Sequence, residues 1–321
     1  MTSPLIHHFS ECEPHLWLAE QLALEESPVA IICDETVQKL YGDSLELDLK
    51  VRGVASALFS FPAGEQNKSP ETLCQLVDEL SRRQWGRRCR VVGLGGGVTT
   101  DLAGLLASVY CRGVRYYAVP TTLLGMVDAS IGGKTGVNLP SGKNLMGTFY
   151  CPECVWILPA FLRTLPLRER RQGIAEMIKH GLIASAVHFA RLEKGGGELL
   201  ADASLSYLSE AIRESTAIKM DYVNDDPFDR GRRSQLNFGH TIAHGIEAAS
   251  NYQISHGEAV AIGIAVESYL STKLGKLTEG DYQRICSLLL KFELPTKIPE
   301  GMSADHLIEL MSSDKKKLSQ G

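Results

Sequence analysis

The chain lacks an uncharged apolar run of about 18 residues, so no membrane-spanning helix is predicted. It also lacks a basic excess: 33 Lys and Arg against 38 Asp and Glu leave a formal net charge of −5. Nucleic-acid binders usually carry a basic surface, so that class is disfavoured, while a local basic pocket for a small anion fits the balance. Residues 1–15, MTSPLIHHFSECEPH, have no basic segment leading into an apolar one. They predict no secretory leader and a cytoplasmic protein. The eight cysteines contain one C-x-x-C, Cys151 and Cys154, with no second pair at zinc-site spacing. Buried free thiols in a reducing compartment are expected rather than a disulfide framework. No internal repeat or long low-complexity tract is present. The G-x-G-x-x-G dinucleotide fingerprint, the Walker lysine and the glutamate of H-E-x-x-H are absent as well.

What is present is enough chain for two cores: 321 residues, 44% hydrophobic. The first half alternates apolar runs with helical patterns. Strands are predicted at 28–34, 57–62, 89–97, 114–122 and 154–159, and helices over 70–85 and 101–110. This alternation predicts an α/β domain with a mainly parallel sheet. After residue 159 the strand signal fades. Residues 166–194 are periodic, with Gly173 and Gly181 as candidate interruptions. Residues 205–224, 241–250, 257–275 and 283–292 continue the helical pattern. The expected domains are therefore 1–159, α/β, and 160–321, helical. The glycines at 195–197 follow no strand and read as a loop.

Three glycines, Gly95, Gly96 and Gly97, end a predicted strand and precede Asp101. They can bring backbone N–H groups and a helix N-terminus to a diphosphate, or simply make a bend. Asp34 ends another strand, either to bind a ribose or to cap a turn. The segment 119–144, VPTTLLGMVDASIGGKTGVNLPSGKN, gathers Thr121, Thr122, Asp128, Lys134, Lys143 and Asn144 among glycines. It reads as a small-anion cleft or a solvated loop. Arg112 and Arg115 either extend that basic surface or form ion pairs. In the helical half, Glu176 and Lys179 share a helix face, as do His240 and His244. Glu176 with two histidines could hold a divalent metal and leave positions for substrate or water. His188 reads as a core or surface residue. Lys219, Arg233 and Asn237 are anion or hydrogen-bond candidates, or ordinary helix charges and caps. A nucleotide on the α/β side, a metal on the helical side and an acidic substrate between them is the reading these groups suggest.

Taken in order, FPAGEQNK, GGGVTTD, the 119–144 segment, AEMIKHG, LNFGHTIAHGIE and HGEAV resemble the 3-dehydroquinate synthase family over most of the chain. The resemblance implies NAD in a Rossmann-like N-terminal domain and a divalent metal, zinc or alternatively cobalt, in a helical C-terminal domain. It implies metal ligation by Glu176, His240 and His256. It puts Asp34, Glu65, Lys68, Gly95, Gly96, Gly97, Thr121 and Thr122 on the cofactor side, with Asp101, Asp128, Lys134 and Lys143 between cofactor and substrate. Arg112, Asn144, Lys179, Lys219, Arg233, Asn237 and His244 match further active-site positions. Lys134, Asn144, Arg233 and His244 are the expected phosphate contacts, and Lys179 the expected carboxylate contact. Lys143 is expected to hold substrate or stabilise negative character at the oxidised carbon.

The implied reaction converts 3-deoxy-D-arabino-heptulosonate 7-phosphate to 3-dehydroquinate and phosphate. Transient oxidation by NAD acidifies a neighbouring C–H and phosphate is eliminated. Re-reduction, ring opening and an intramolecular aldol closure follow. A homodimer is also implied. The chain departs from the family pattern at Thr100, where glycine is usual, and at His180, where tyrosine is common. The DKKK run puts Lys315 or Lys316 at a phosphate-contacting position. The alternatives are another NAD- and metal-dependent sugar-phosphate cyclase, a metal-dependent alcohol dehydrogenase and a non-catalytic binding module.

Overall fold

The structure is a computed structural model that describes residues 4–8, 13–200, 205–251 and 253–318; the side chains of residues 198 and 313–318 are outside the description. The chain forms two compact units, Met1–Leu165 and Pro166–Gly321.

In the first unit, β1 (Leu5–His8) is followed by α1 (Pro14–Ala23) and β2 (Val29–Asp34). A helical stretch follows: α2 (Glu35–Val37), a π-turn and α3 (Asp43–Val51). Next come β3 (Ser56–Phe61), α4 (Pro70–Ser81), β4 (Arg90–Gly95), α5 (Gly97–Val109) and β5 (Arg115–Pro120). A hairpin, β6 (Lys134–Leu139) and β7 (Gly142–Phe149), precedes β8 (Cys154–Ile157). The main sheet is parallel, in the order β1-β8-β5-β4-β2-β3. Every residue of β4 is buried and β2 is buried up to its last residue, as strands covered on both faces must be. Strand order reverses between β2 and β4, so Asp34 and Gly95 end adjacent strands where open α/β sheets bind ligands.

The predicted strands appear within a few residues of their expected limits. β1 and the β6–β7 hairpin are additions. The hairpin was hard to see because β7, GKNLMGTF, is largely exposed and carries no apolar alternation. Its partner β6 lies against α5 because Gly104 has no side chain: a Cβ there would stand 2.5 Å from Thr135 Cγ2. Arg115 is a structural residue, ion-paired with Glu25 and donating to Ser27 Oγ at 3.0 Å. None of the seven described cysteines is in a disulfide. Burial pushes the thiols of Cys33, Cys89 and Cys154 up to about 12. Cys74, however, is exposed and Cys111, Cys151 and Cys286 are partly exposed, so the expectation of buried thiols holds only for the other three.

The second unit, as described, is helical: α6 (Leu167–Ala184), α7 (Ala186–Gly195), α8 (Leu205–Asp225), α9 (His240–Ala249), α10 (His256–Lys273), α11 (Glu279–Lys291) and α12 (Ala304–Leu318). Neither Gly173 nor Gly181 interrupts α6. The chain breaks at Ser185, whose side chain caps α7 by accepting from His188 N–H at 3.1 Å. Gly181 instead allows close approach, since a Cβ there would stand 3.0 Å from the Phe189 backbone. His188 is a core residue with Nδ1 3.0 Å from Glu214. The central helix is α10, with nearly every residue from Gly257 to Ala265 buried. It starts with a capping box in which Ser255 and Glu258 satisfy each other's free donors. No helix among the described residues is long and apolar enough to cross a membrane.

Candidate active site and metal centre

At the carboxyl ends of β2, β4 and β5 the first unit assembles most of its sequence-predicted residues. α5 begins at Gly97 with no side chain capping its first N–H groups, which leaves that terminus suited to an anion. Thr121 N–H donates to Gly95 O at 2.9 Å. A Cβ on Gly96 would stand 3.0 Å from Thr122 Cγ2, so the turn packs directly on the end of β5. Thr100 fits without breaking this turn: it is buried inside α5 and its hydroxyl donates to Gly97 O at 3.2 Å. Asp34 uses one carboxylate oxygen as a helix cap, accepting from Thr36 N–H at 2.8 Å and Val37 N–H at 3.0 Å.

Beside the turn, the buried Lys68 ammonium donates to Asp101 Oδ2 at 2.5 Å and to Asn144 Oδ1 at 2.6 Å. Asn138, not singled out in the sequence, ties the set together. Its amide donates to Glu65 Oε1 at 2.8 Å, and its Oδ1 accepts from Asn144 N–H at 2.9 Å. Glu65, Lys68, Asp101, Asn138 and Asn144 therefore form one polar network from four separate chain segments. Asp128 lies in the π-turn Gly125–Ala129. Lys134 opens β6 and Lys143 lies near the hairpin turn. The ladder sets these lysines about four residues apart, roughly 13 Å at the rise of a strand. Arg112 lies three residues beyond the C-terminal end of α5, which itself runs about 12 Å from Asp101 to Val109, so one chain does not bring the two together.

In the second unit, Glu176 on α6, His240 at the start of α9 and His256 at the start of α10 offer ligand atoms within 4.8 Å of one another. Nε2 of His240 and of His256 lie 3.5 and 3.3 Å from Glu176 Oε1. Lys179, one turn along α6, pairs with Glu176 Oε2. Glycines make this convergence sterically feasible. A Cβ on Gly257 would fall 2.3 Å from Gln172 Cα, and one on Gly263 would fall 1.9 Å from Gly239 O. α10 thus approaches both α6 and the turn leading into α9 more closely than any side chain would allow.

Burial alone would raise the Glu176 pKa, but Lys179 and the two imidazoles outweigh it and hold the carboxyl well below its usual range. Burial and Lys179 push His240 down to about 3. Burial also acts to lower His256, but the Glu176 and Glu247 carboxylates raise it to about 10. Both Glu176 oxygens are buried without a well-formed hydrogen bond. Two imidazoles and one buried carboxylate, with ligand atoms within 4.8 Å of one another, are a donor set suited to a divalent cation.

His244 is exposed, with its ring 5.8 Å from that of His240. Lys219 is buried on α8. Arg233 is buried and donates to Pro227 O at 2.9 Å, in the loop that follows α8. Asn237 is exposed on that turn. The side chains of Lys315 and Lys316 lie outside the described residues.

The 3-dehydroquinate synthase N-terminal family model matches residues 58–172, and the 3-dehydroquinate synthase C-terminal model matches residues 173–317. The 3-dehydroquinate synthase of Acidithiobacillus ferrooxidans is 44% identical over 295 residues, covering 92% of this chain and 80% of that protein. Among solved structures, 2-epi-5-epi-valiolone synthase from Streptomyces hygroscopicus, with NAD+ and Zn2+ bound, superposes with a TM-score of 0.90 at 30% identity, covering 99% of this chain and 88% of that one. A 2-deoxy-scyllo-inosose synthase complexed with carbaglucose-6-phosphate, NAD+ and Co2+ superposes at 0.86 and 26% identity, covering 95% and 83%. Both family models lie end to end across the two units just described, and by that match and the identity to its relatives the chain belongs to the 3-dehydroquinate synthase family.

Proposed function

We propose that this protein is a 3-dehydroquinate synthase, converting 3-deoxy-D-arabino-heptulosonate 7-phosphate to 3-dehydroquinate and phosphate. The observation that carries the reading is the 44% identity sustained over 92% of the chain. Identity to the valiolone and inosose cyclases is lower, at 30% and 26%, which favours this substrate over theirs.

NAD would be held by the glycine turn at the α5 N-terminus and would supply reversible hydride acceptance. Glu176, His240 and His256 would hold a divalent metal, zinc or cobalt, which would supply Lewis acidity. The remaining work falls to side chains of the chain itself. Gly95, Gly96 and Gly97 admit the cofactor diphosphate, with Asp34, Thr121 and Thr122 around it. The network of Glu65, Lys68 and Asp101 fixes that rim, while Asn144 is held at its edge to face substrate. Lys134, Arg233 and His244 neutralise the phosphate group as it leaves. Lys179, buried against Glu176, presents its ammonium to the substrate carboxylate. Lys143, Asp128, Lys219 and Asn237 complete the assignment to substrate, and Arg112, which one chain holds away from Asp101, would serve a substrate bound by the second copy of a homodimer. Fixed charges of this kind stabilise developing charge without reorganising in the reaction.

The protein acts as a homodimer. Leu145, Met146 and Phe149 expose apolar surface along β7, whose outer edge pairs with no other described strand. Sedimentation at twice the chain mass is the expected result.

The decisive experiment is turnover of the heptulosonate phosphate with and without NAD and divalent metal. Formation of phosphate and dehydroquinate in equal amounts, dependent on both additions, is expected. A fully loaded protein that releases no dehydroquinate would overturn the assignment. Turnover of another sugar phosphate by that preparation would favour a sister cyclase.

A further inference from the structure

We propose that Glu247 is a positioning residue for the metal centre: its carboxylate stands within ion-pair distance of His256 Nδ1, favours the proton on that nitrogen and so presents Nε2 as the ligand atom. The inference rests on the metal reading above.

The His256 imidazole stands between two carboxylates. Its Nε2 is 3.3 Å from Glu176 Oε1, and its Nδ1 is 3.7 Å from Glu247 Oε1. Glu247 is only 4% exposed. A buried carboxylate is costly unless a donor or cation faces it, and His256 supplies one. Glu247 lies on α9 seven residues after His240, two turns along the same helix face. α9 therefore carries one candidate ligand and the brace for another.

His240 has the same arrangement with a weaker acceptor, since its Nδ1 lies 3.3 Å from Phe238 O. In both rings Nε2 turns toward Glu176 and Nδ1 toward an oxygen. A ring nitrogen whose proton is held by an acceptor leaves the other nitrogen free to coordinate, and a charged acceptor makes that nitrogen the better donor. Glu247 offers no atom to the ligand cluster itself, which consists of Glu176, His240 and His256. Its action therefore passes through His256.

The test is Co2+ affinity of the full-length protein, measured by competition with a chromophoric chelator, together with the visible spectrum of bound Co2+. Glu247→Leu should weaken binding about 10- to 100-fold, the usual cost of losing such an outer partner, and shift the spectrum. Glu247→Gln keeps an acceptor oxygen without the charge and should fall between Leu and parent. Parent-like affinity and spectrum in a folded Glu247→Leu protein would overturn the proposal. If that protein does not fold, parent-like values in Glu247→Gln would overturn it instead. Glu176→Ala, run in parallel, separates the two levels. Cobalt retained by Glu176→Ala sinks the metal centre itself, whereas cobalt lost there but bound normally by both Glu247 variants sinks only this inference.

Discussion

Lys134 and His188 are single residues whose surroundings predict opposite kinds of behaviour. Lys134 is exposed at the start of β6. Lys134→Ala should leave the fold intact yet weaken use of the phosphorylated substrate about tenfold or more, because a hydrogen bond to a charged group contributes about 1.5–3 kcal/mol. Steady-state kinetics check this, and an unchanged kcat/KM would remove Lys134 from the site. His188 is buried, and that burial lowers its pKa despite the Glu214 carboxylate. The unfolded chain then takes up this proton at a higher pH than the folded one. Stability is therefore lost as pH falls from the ordinary imidazole range toward the folded value. Urea denaturation of the metal-free protein at neutral and mildly acidic pH should show a smaller acid loss in His188→Gln than in the parent. At this scale the sequence is legible where spacing alone brings groups together, as with Glu176 and Lys179 on one helix face. It is silent about Asn138 and Glu247, whose partners lie in other segments of the chain.

Among whole elements, the buried strands were readable because apolar runs such as VAIICD and RVVGLG have no other environment that suits them. The hairpin was not, since its stability comes from contacts made through Gly104 and Thr135 rather than from its own pattern. The same holds for the helix crossings around the candidate ligands. Gly257 and Gly263 look like weak points inside α10, which a propensity argument would penalise. Tertiary contact reverses that judgement. Gly263→Ala would drive a methyl group into Gly239 O, next to His240, and should cost about 1–3 kcal/mol through overpacking. Thermal unfolding should show a lower Tm and metal titration a lower affinity. Gly280→Ala, on α11, where the nearest neighbour of a Cβ is Thr278 Oγ1 at 3.9 Å, should lower neither. A Gly263→Ala protein with parental Tm and metal affinity would show that the helices can separate freely.

For the molecule as a whole, the family and the change from α/β to helical architecture could be read from motifs and periodicity, while the hairpin's place and the Asn138 network could not, because they depend on contacts that the chain makes only after folding. On the proposed reading, chelation should lower the Tm of the helical unit. Metal at about 1,000 times its dissociation constant adds about 4 kcal/mol to the folded state. Calorimetry with and without chelator checks this; coincident transitions would show that the ion contributes nothing to the fold. The three candidate ligands come from three different helices and are spread from residue 176 to residue 256. An ion shared by them fastens distant stretches of chain, so its departure loosens the helical unit and opens cleavage sites to proteases. Metal supply would then govern the lifespan of each copy as well as its rate, and a metal-starved cell would clear the enzyme instead of storing it inactive.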